Sequence, residues 1–285
     1  MDINMKPTTA FLFILFSCIS AAQKITCSLE NKAAFEAKIE AIKKFQDNTI
    51  GDTMVAVGKS FLGTPYVAKT LEVGTTESLV LNLQELDCTT FVENVLAFSY
   101  LLKNKRTHFD DFINTLETIR YKYGKLDGYS SRLHYFTDWI RNNQKKGLVL
   151  DITNNIGGSE TTKQINFMSS HQELYPFLKD NDENVSKIKK AEDSLNQEVM
   201  CVLLQEDIAA NEYLLQSGDI IALTTSIKGL DVTHTGIVIK QPDGRIHLLH
   251  ASTTGAVKIS KLPLVAYLKK IKHNTGIMVA RVVFD

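Results

Sequence analysis

From residue 219 onward the chain changes character, and that change restricts the fold most. Segments 219–224, 235–240, 245–250 and 256–260 are short runs rich in β-branched residues, separated by turn formers. Gln241-Pro242-Asp243-Gly244 reads as a hairpin turn, with Pro and Gly where turns favour them, and 276–283 reads as a last strand. Upstream, apolar residues instead keep helical spacing, as at Phe35, Ile39, Ile42 and Phe45 within 29–48. A second helix is predicted over 50–62, with Gly63 as its stop and Pro65 just beyond. A third opens at Cys88 and carries the stripe Phe91, Val92, Val95, Leu96 and Leu102. Helical patterns recur at 109–122 and 132–146, and the mixed charges of 179–197 read as a solvated helix or loop. Helices first and strands later predict an α+β fold, with N-terminal helices packed on a C-terminal antiparallel sheet, not a doubly wound one.

The N-terminus points to export. Lys6 precedes an apolar run over 10–19, and Ser20-Ala21-Ala22 follows. A cationic start, a brief apolar stretch and a small-residue site describe a secretory signal peptide, here 1–22, with 23–285 as a single mature domain. Cys18 sits in a segment similar to a lipoprotein box, which offers an N-terminal lipid anchor as the alternative, although Phe16 fits that box poorly. After cleavage three cysteines remain, Cys27, Cys88 and Cys201, so at least one thiol is free. Cys27 and Cys201 are either a pair or two inert thiols. No later segment is apolar enough to span a bilayer. Lys+Arg and Asp+Glu both count 32 in 285 residues, which removes the cationic excess that nucleic-acid binding needs.

Chemistry concentrates at three positions. Cys88 follows Asp87 at a predicted helix start, where the helix end favours a thiolate. The free backbone N–H groups there, those of Cys88 and Thr89, are oxyanion donors in waiting. Taken alone, Cys88 reads as a small buried cysteine. His234 and His250 flank the hairpin, 250 − 234 = 16 residues apart, so folding at the turn brings both to one end. One ring then takes the Cys88 proton while the other orients it. His247, three residues before His250, falls on the opposite face and reads as surface or packing. A zinc site of Cys88, His234 and His250 is a rival, without CxxC or HExxH spacing to support it.

Several segments together make the chain resemble the NlpC superfamily of papain-like cell-wall hydrolases, and most closely its N-acetylmuramoyl-L-alanine amidase-like branch. They are Asp87-Cys88 at a helix start, His234-Thr235-Gly236-Ile237, and His250-Ala251-Ser252-Thr253 followed by Gly255-Ala256-Val257. Gly63-Thr64-Pro65-Tyr66 is similar to the segment whose Tyr lines the substrate cleft, and 86–97, 129–140 and 229–234 resemble the amidase-like branch. The resemblance implies a papain-like core in which Cys88 and His234 are 234 − 88 = 146 residues apart, with roughly 105–215 as a family-specific insertion. It implies hydrolysis of the amide between N-acetylmuramic acid and L-alanine in muropeptides, including 1,6-anhydro forms, in the periplasm. Cys88 is then nucleophile, His234 base and His250 its orienter, without metal or cofactor. Tyr66, Arg132, His134, Tyr135 and Asp231 are the candidate substrate contacts: Arg132 as a carboxylate clamp, Tyr135 as a stacking surface or simply core, Asp231 as a ligand orienter or a turn cap. An endopeptidase cutting within the stem peptide, and a non-catalytic wall-binding module, are the alternatives.

Overall fold

A computed structural model describes residues 25–284. The expected 1–22 signal peptide, with Cys18, lies outside the described residues.

Nine α-helices are formed among the described residues: α1 Leu29–Ile42, α2 Ile50–Lys59, α3 Cys88–Lys103, α4 Phe109–Arg120, α5 Phe136–Lys145, α6 Phe167–Ser170, α7 Asp182–Leu195, α8 Ile208–Asn211 and α9 Leu264–Leu268. The strands are β1 Ile25–Cys27, β2 Leu79–Leu81, β3 Val149–Asp151, β4 Ser159–Thr161, β5 Met200–Leu204, β6 Ile220–Thr225, β7 Val232–Lys240, β8 Ile246–Ala251, β9 Val257–Ile259 and β10 Asn274–Val282. Eight strands form one antiparallel sheet in the order β4-β5-β10-β6-β7-β8-β9, with β3 also on β10, while β1 and β2 pair in parallel apart from it. The chain is therefore a mixed helix and sheet structure, consistent with the α+β expectation.

The central strands read as near-continuous apolar runs because both faces of the sheet are covered. Ile220, Ala222, Ile237, Leu249 and Met278 belong to the core shared with α1 to α5. Their neighbours Ile221, Leu223, Val238, Leu248 and Ile277 belong to a second core with Ile208, Leu215, Leu264 and Leu268. Strand alternation assigns odd and even positions to opposite cores. Helices α2 and α3 lie across β7 and β8, so twelve of the sixteen residues of α3 are buried, with Glu93 ion-paired to Arg120 among them.

Helix ends depart from the sequence expectation for local reasons. The α2 helix ends at Lys59 instead of 62, because the Phe61 and Leu62 N–H groups bond three residues back, to Gly58 and Lys59, which winds the chain into a turn. The expected helix over 132–146 begins only at Phe136. Residues 129–131 form a short 3-10 turn, and the Thr137 N–H is taken by the Asp231 carboxylate from across the fold. The 179–197 segment does hold a helix, α7, which buries Ile188, Glu192 and Leu195. His247 packs inside, between the Ser260 carbonyl and Asp243. Cys27, Cys88 and Cys201 are all free thiols. Among the described residues no helix is long and apolar enough to cross a membrane.

Candidate active site

Asp87 caps α3: its Oδ1 accepts from the Thr90 N–H at 2.8 Å, and the Thr90 hydroxyl accepts from the Asp87 N–H at 2.9 Å. This reciprocal capping box makes Cys88 the first helical residue. The Phe91 N–H bonds the Asp87 carbonyl, so the N–H groups of Cys88 and Thr89 are those left at the open end of the helix. Upstream, Tyr66 bridges to Leu86 and donates its N–H to the Gly255 carbonyl at 2.8 Å. That places Tyr66 beside the nucleophile candidate. Burial, with the Cys88 and Asp87 charges, pushes its phenol up to about 12.

His234 enters at the start of β7, where pairing with β6 slips: His234 faces Leu223 but Val232 faces Thr224. Thr233 is the extra residue of a bulge, a device that re-aims neighbouring side chains. Thr235 then donates its hydroxyl to the Cys88 carbonyl at 3.0 Å, fastening β7 to the start of α3. His234 Nε2 meets His250 Nδ1 at 2.6 Å, with the rings nearly perpendicular at 87°. His250 is buried on β8, its Nε2 has no hydrogen-bond partner, and the Tyr267 ring stands edge-on at 5.5 Å.

A cavity of about 140 Å³ brings Cys88 and His234 together, lined by Cys88, Thr89, His134, Tyr135, Asp231 and His234 among others, with Tyr66 and His250 outside its lining. Electrostatics at Cys88 run against the helix-end expectation. Burial and the adjacent Asp87 carboxylate push the thiol up to about 11, more than hydrogen bonds from Thr235 and Thr89 pull it down. Burial alone takes His234 down to about 4, and burial with the His234 and Lys258 charges takes His250 to about 3. Thiol and imidazole both rest neutral at pH 7. Among the described residues no three His, Cys, Asp or Glu side chains are placed to hold a metal ion, and His234 and His250 turn facing nitrogens on each other.

A family model described as AmiA-like, N-acetylmuramoyl-L-alanine amidase-like, matches residues 56–277. The chain belongs to that family. It is 41% identical to an N-acetylmuramoyl-L-alanine amidase from Bacteroides uniformis ATCC 8492, over 83% of this chain and 100% of that one, at a TM-score of 0.79. A candidate xylanase from Bacteroides fragilis is 43% identical, over 79% of this chain and 99% of that one, at a TM-score of 0.75. A Legionella pneumophila protein at 20% identity and a TM-score of 0.70, over 89% of this chain and 95% of that one, shares the fold. No curated protein matches the chain.

Within this amidase-like chain, the residues singled out from sequence divide into two groups. Cys88, Thr89, His134, Tyr135, Asp231 and His234 share the cavity, with His250 behind His234. Arg132 lies outside that lining. Its guanidinium is buried, ion-paired with Glu72 and, at 3.5 Å, with Glu77, and stacked over the Tyr129 ring. Tyr135 lines the cavity from within the core, donating to Glu192 at 2.6 Å and accepting from the Met168 N–H at 2.8 Å. Asp231 accepts from the Thr137 and Val232 N–H groups. Thr235, Met168 and Tyr175 were not anticipated as cavity residues. Thr235 alone had a signal, since alternation puts the residue after His234 on the face that meets α3.

Proposed function

We propose that this chain is a cysteine hydrolase that cuts the N-acetylmuramoyl–L-alanine amide of peptidoglycan fragments, including 1,6-anhydro forms. The observation that carries the reading is Cys88 at the open end of α3 in one cavity with His234, which His250 holds at 2.6 Å. For His234 to accept the thiol proton, its Nδ1 must be bare, which puts its hydrogen on Nε2 facing His250 Nδ1. The Cys88 sulfur then attacks the lactyl carbonyl, and the Cys88 and Thr89 N–H groups hold the oxyanion, with Tyr66 alongside. His234 delivers the proton to the leaving L-alanine nitrogen, and water, deprotonated by His234, hydrolyses the lactyl thioester. Because thiol and imidazole rest neutral, proton transfer accompanies attack instead of preceding it.

The same reading makes the core papain-like and places the chain in the NlpC superfamily. Residues 23–285 form one domain with roughly 105–215 inserted between nucleophile and base, and 1–22 direct export to the periplasm, or anchor the chain there through Cys18. A glycosidase, as the name of the Bacteroides fragilis relative would have it, needs two carboxyl groups astride the bond. Among the residues lining this cavity Asp231 is the only carboxylate, and two backbone N–H groups occupy it.

Incubating the protein and Cys88→Ala with defined muropeptides, and weighing the products by mass spectrometry, tests the proposal. Release of the intact stem peptide with a free L-alanine amine is expected from the wild type alone. Cleavage beyond D-glutamate makes it an endopeptidase, and equal turnover by both proteins overturns the cysteine mechanism.

A further inference from the structure

His134 is held in a way that leaves it one chemical option. Its Nε2 lies 2.8 Å from the Tyr129 carbonyl oxygen. A carbonyl only accepts, so Nε2 carries the hydrogen and, in the neutral ring, Nδ1 carries a bare lone pair. The ring packs on Tyr129 at 4.4 Å, and Tyr129 is itself clamped between Phe177, stacked at 4.9 Å, and the Arg132 guanidinium at 4.9 Å. Flipping the ring would put Cε1 where Nε2 stands and lose the bond, and the other tautomer would turn a lone pair toward the carbonyl. Burial, and secondarily the Arg132 charge, hold its pKa well below the usual histidine range, so the ring stays neutral at working pH.

Nδ1 has no protein donor, and it is not among the buried atoms left without a partner. Since His134 lines the cavity it shares with Cys88 and His234, that nitrogen is the edge left to an occupant. Asp231 and Tyr135 lack this freedom, their oxygens being bonded within the protein. We propose that His134 Nδ1 accepts a hydrogen bond from the amide N–H that follows L-alanine in the substrate, and so selects for a peptide leaving group.

This rests on the muramoyl-peptide reading of the cavity and sharpens it. A locked neutral acceptor repels a carboxylate, which meets it lone pair to lone pair, and offers a bonding lone pair to a peptide, whose N–H donors recur along the chain. The stem carboxylates then lie away from His134, and Arg132, spent on Glu72 and Glu77, does not receive them.

The test pairs a protein change with a substrate change. Muramoyl-L-alanyl-D-isoglutamine is compared with the analogue whose N–H after L-alanine is replaced by an ester oxygen, on wild type and His134→Phe. The ester is expected to lower wild-type kcat/KM at least about 10-fold, the size of one lost buried hydrogen bond, while His134→Phe turns over both equally slowly. Equal sensitivity of the two proteins to the ester overturns the proposal. Independently of turnover, and of whether His134→Phe folds, nitrogen NMR on Cys88→Ala reads the ring itself. Nε2 is expected as the protonated nitrogen in the free protein, and the Nδ1 signal to move upfield as the dipeptide saturates. A protonated Nδ1, or an Nδ1 signal unmoved by the dipeptide, overturns it. Product masses that place the cut elsewhere count against the scissile bond and leave this NMR result standing or falling by itself.

Discussion

His234 Nε2 and His250 Nδ1 stand 2.6 Å apart on neighbouring strands, with no other partner on the far nitrogen of His250. In the proposed mechanism the hydrogen between them sits on His234 Nε2 and leaves Nδ1 of that ring for Cys88. Replacing His250 by Ala removes the acceptor and frees the ring of His234, so kcat for stem-peptide release is expected to fall about 10²–10⁴-fold. His250→Asn, which restores an acceptor oxygen, is expected to recover part of that loss. Comparable kcat for His250→Ala and wild type, with thermal melts confirming folded protein, would remove His250 from the mechanism.

The Cys88 thiol, pushed up to about 11 chiefly by burial, is expected to resist alkylation at pH 7. In a Cys27→Ser, Cys201→Ser background, the rate with iodoacetamide is expected to climb steadily from pH 8 to pH 11. A rate already at its plateau at pH 6 would mean a standing thiolate–imidazolium pair, and the neutral resting state would be wrong.

Three histidines make stability depend on pH in a definite direction. His234 is held at about 4, His250 at about 3 and His134 well below its ordinary value, all mainly by burial. Unfolded, each binds a proton near 6.5, so between pH 6.5 and 4 the unfolded chain holds more protons than the folded one. Stability is therefore present above pH 6.5 and lost as pH falls through that window, by up to about 1.4 kcal/mol per pH unit for each histidine. The raised carboxyls of Asp231 and Glu77 oppose this at the acidic end. Urea midpoints measured from pH 7.5 to 4.5 are expected to drop, and a flat profile would contradict the buried neutral rings.

Much of this was legible in the sequence, for physical reasons that also mark where legibility ends. Short β-branched-rich runs and the Gln241–Gly244 turn placed β6 to β8 within a residue or three of their observed bounds. The apolar stripe that follows Asp87 located the start of α3 at Cys88, where the structure shows Asp87 as a local cap. The three-residue strands β1 to β4 carry too few residues to show a period, and their pairing is decided by distant segments. Arg132 illustrates the same limit. Its charge was visible, but the Glu72 and Glu77 that consume it are 60 and 55 residues away in sequence (132 − 72 and 132 − 77). Nor does a helix start reveal how deeply its first side chain is buried, which is what reversed the expected shift at Cys88.

Arg132→Ala separates a structural from a substrate-binding role. Removing the guanidinium strands Glu72 and Glu77, both with one oxygen already lacking a partner, in a buried setting. Breaking such a pair costs about 3–5 kcal/mol, so a large fall in the urea midpoint is expected, with KM changed little in the protein that remains folded. A raised KM at unchanged stability would restore the carboxylate clamp.

Gly236 sits on β7 two residues from His234, and the strand register carries it opposite His250. A Cβ there would stand 2.8 Å from Leu248 Cδ1, 2.9 Å from the Leu249 carbonyl oxygen and 3.0 Å from His250 Cβ. The carbonyl belongs to the β7–β8 ladder and cannot move without loosening it, so relief must come from shifting β8 and His250 together. Gly236→Ala is therefore expected to cost about 1–3 kcal/mol of stability, the range for overpacking. It is also expected to lower kcat by 10-fold or more, because a shift of an ångström at His250 breaks a 2.6 Å contact. The check is kcat set against the urea midpoint for Gly236→Ala and for Gly58→Ala, which crowds Leu249 from the helix side of the same strand. If the two variants lose activity only in proportion to stability, the space left by Gly236 serves packing alone.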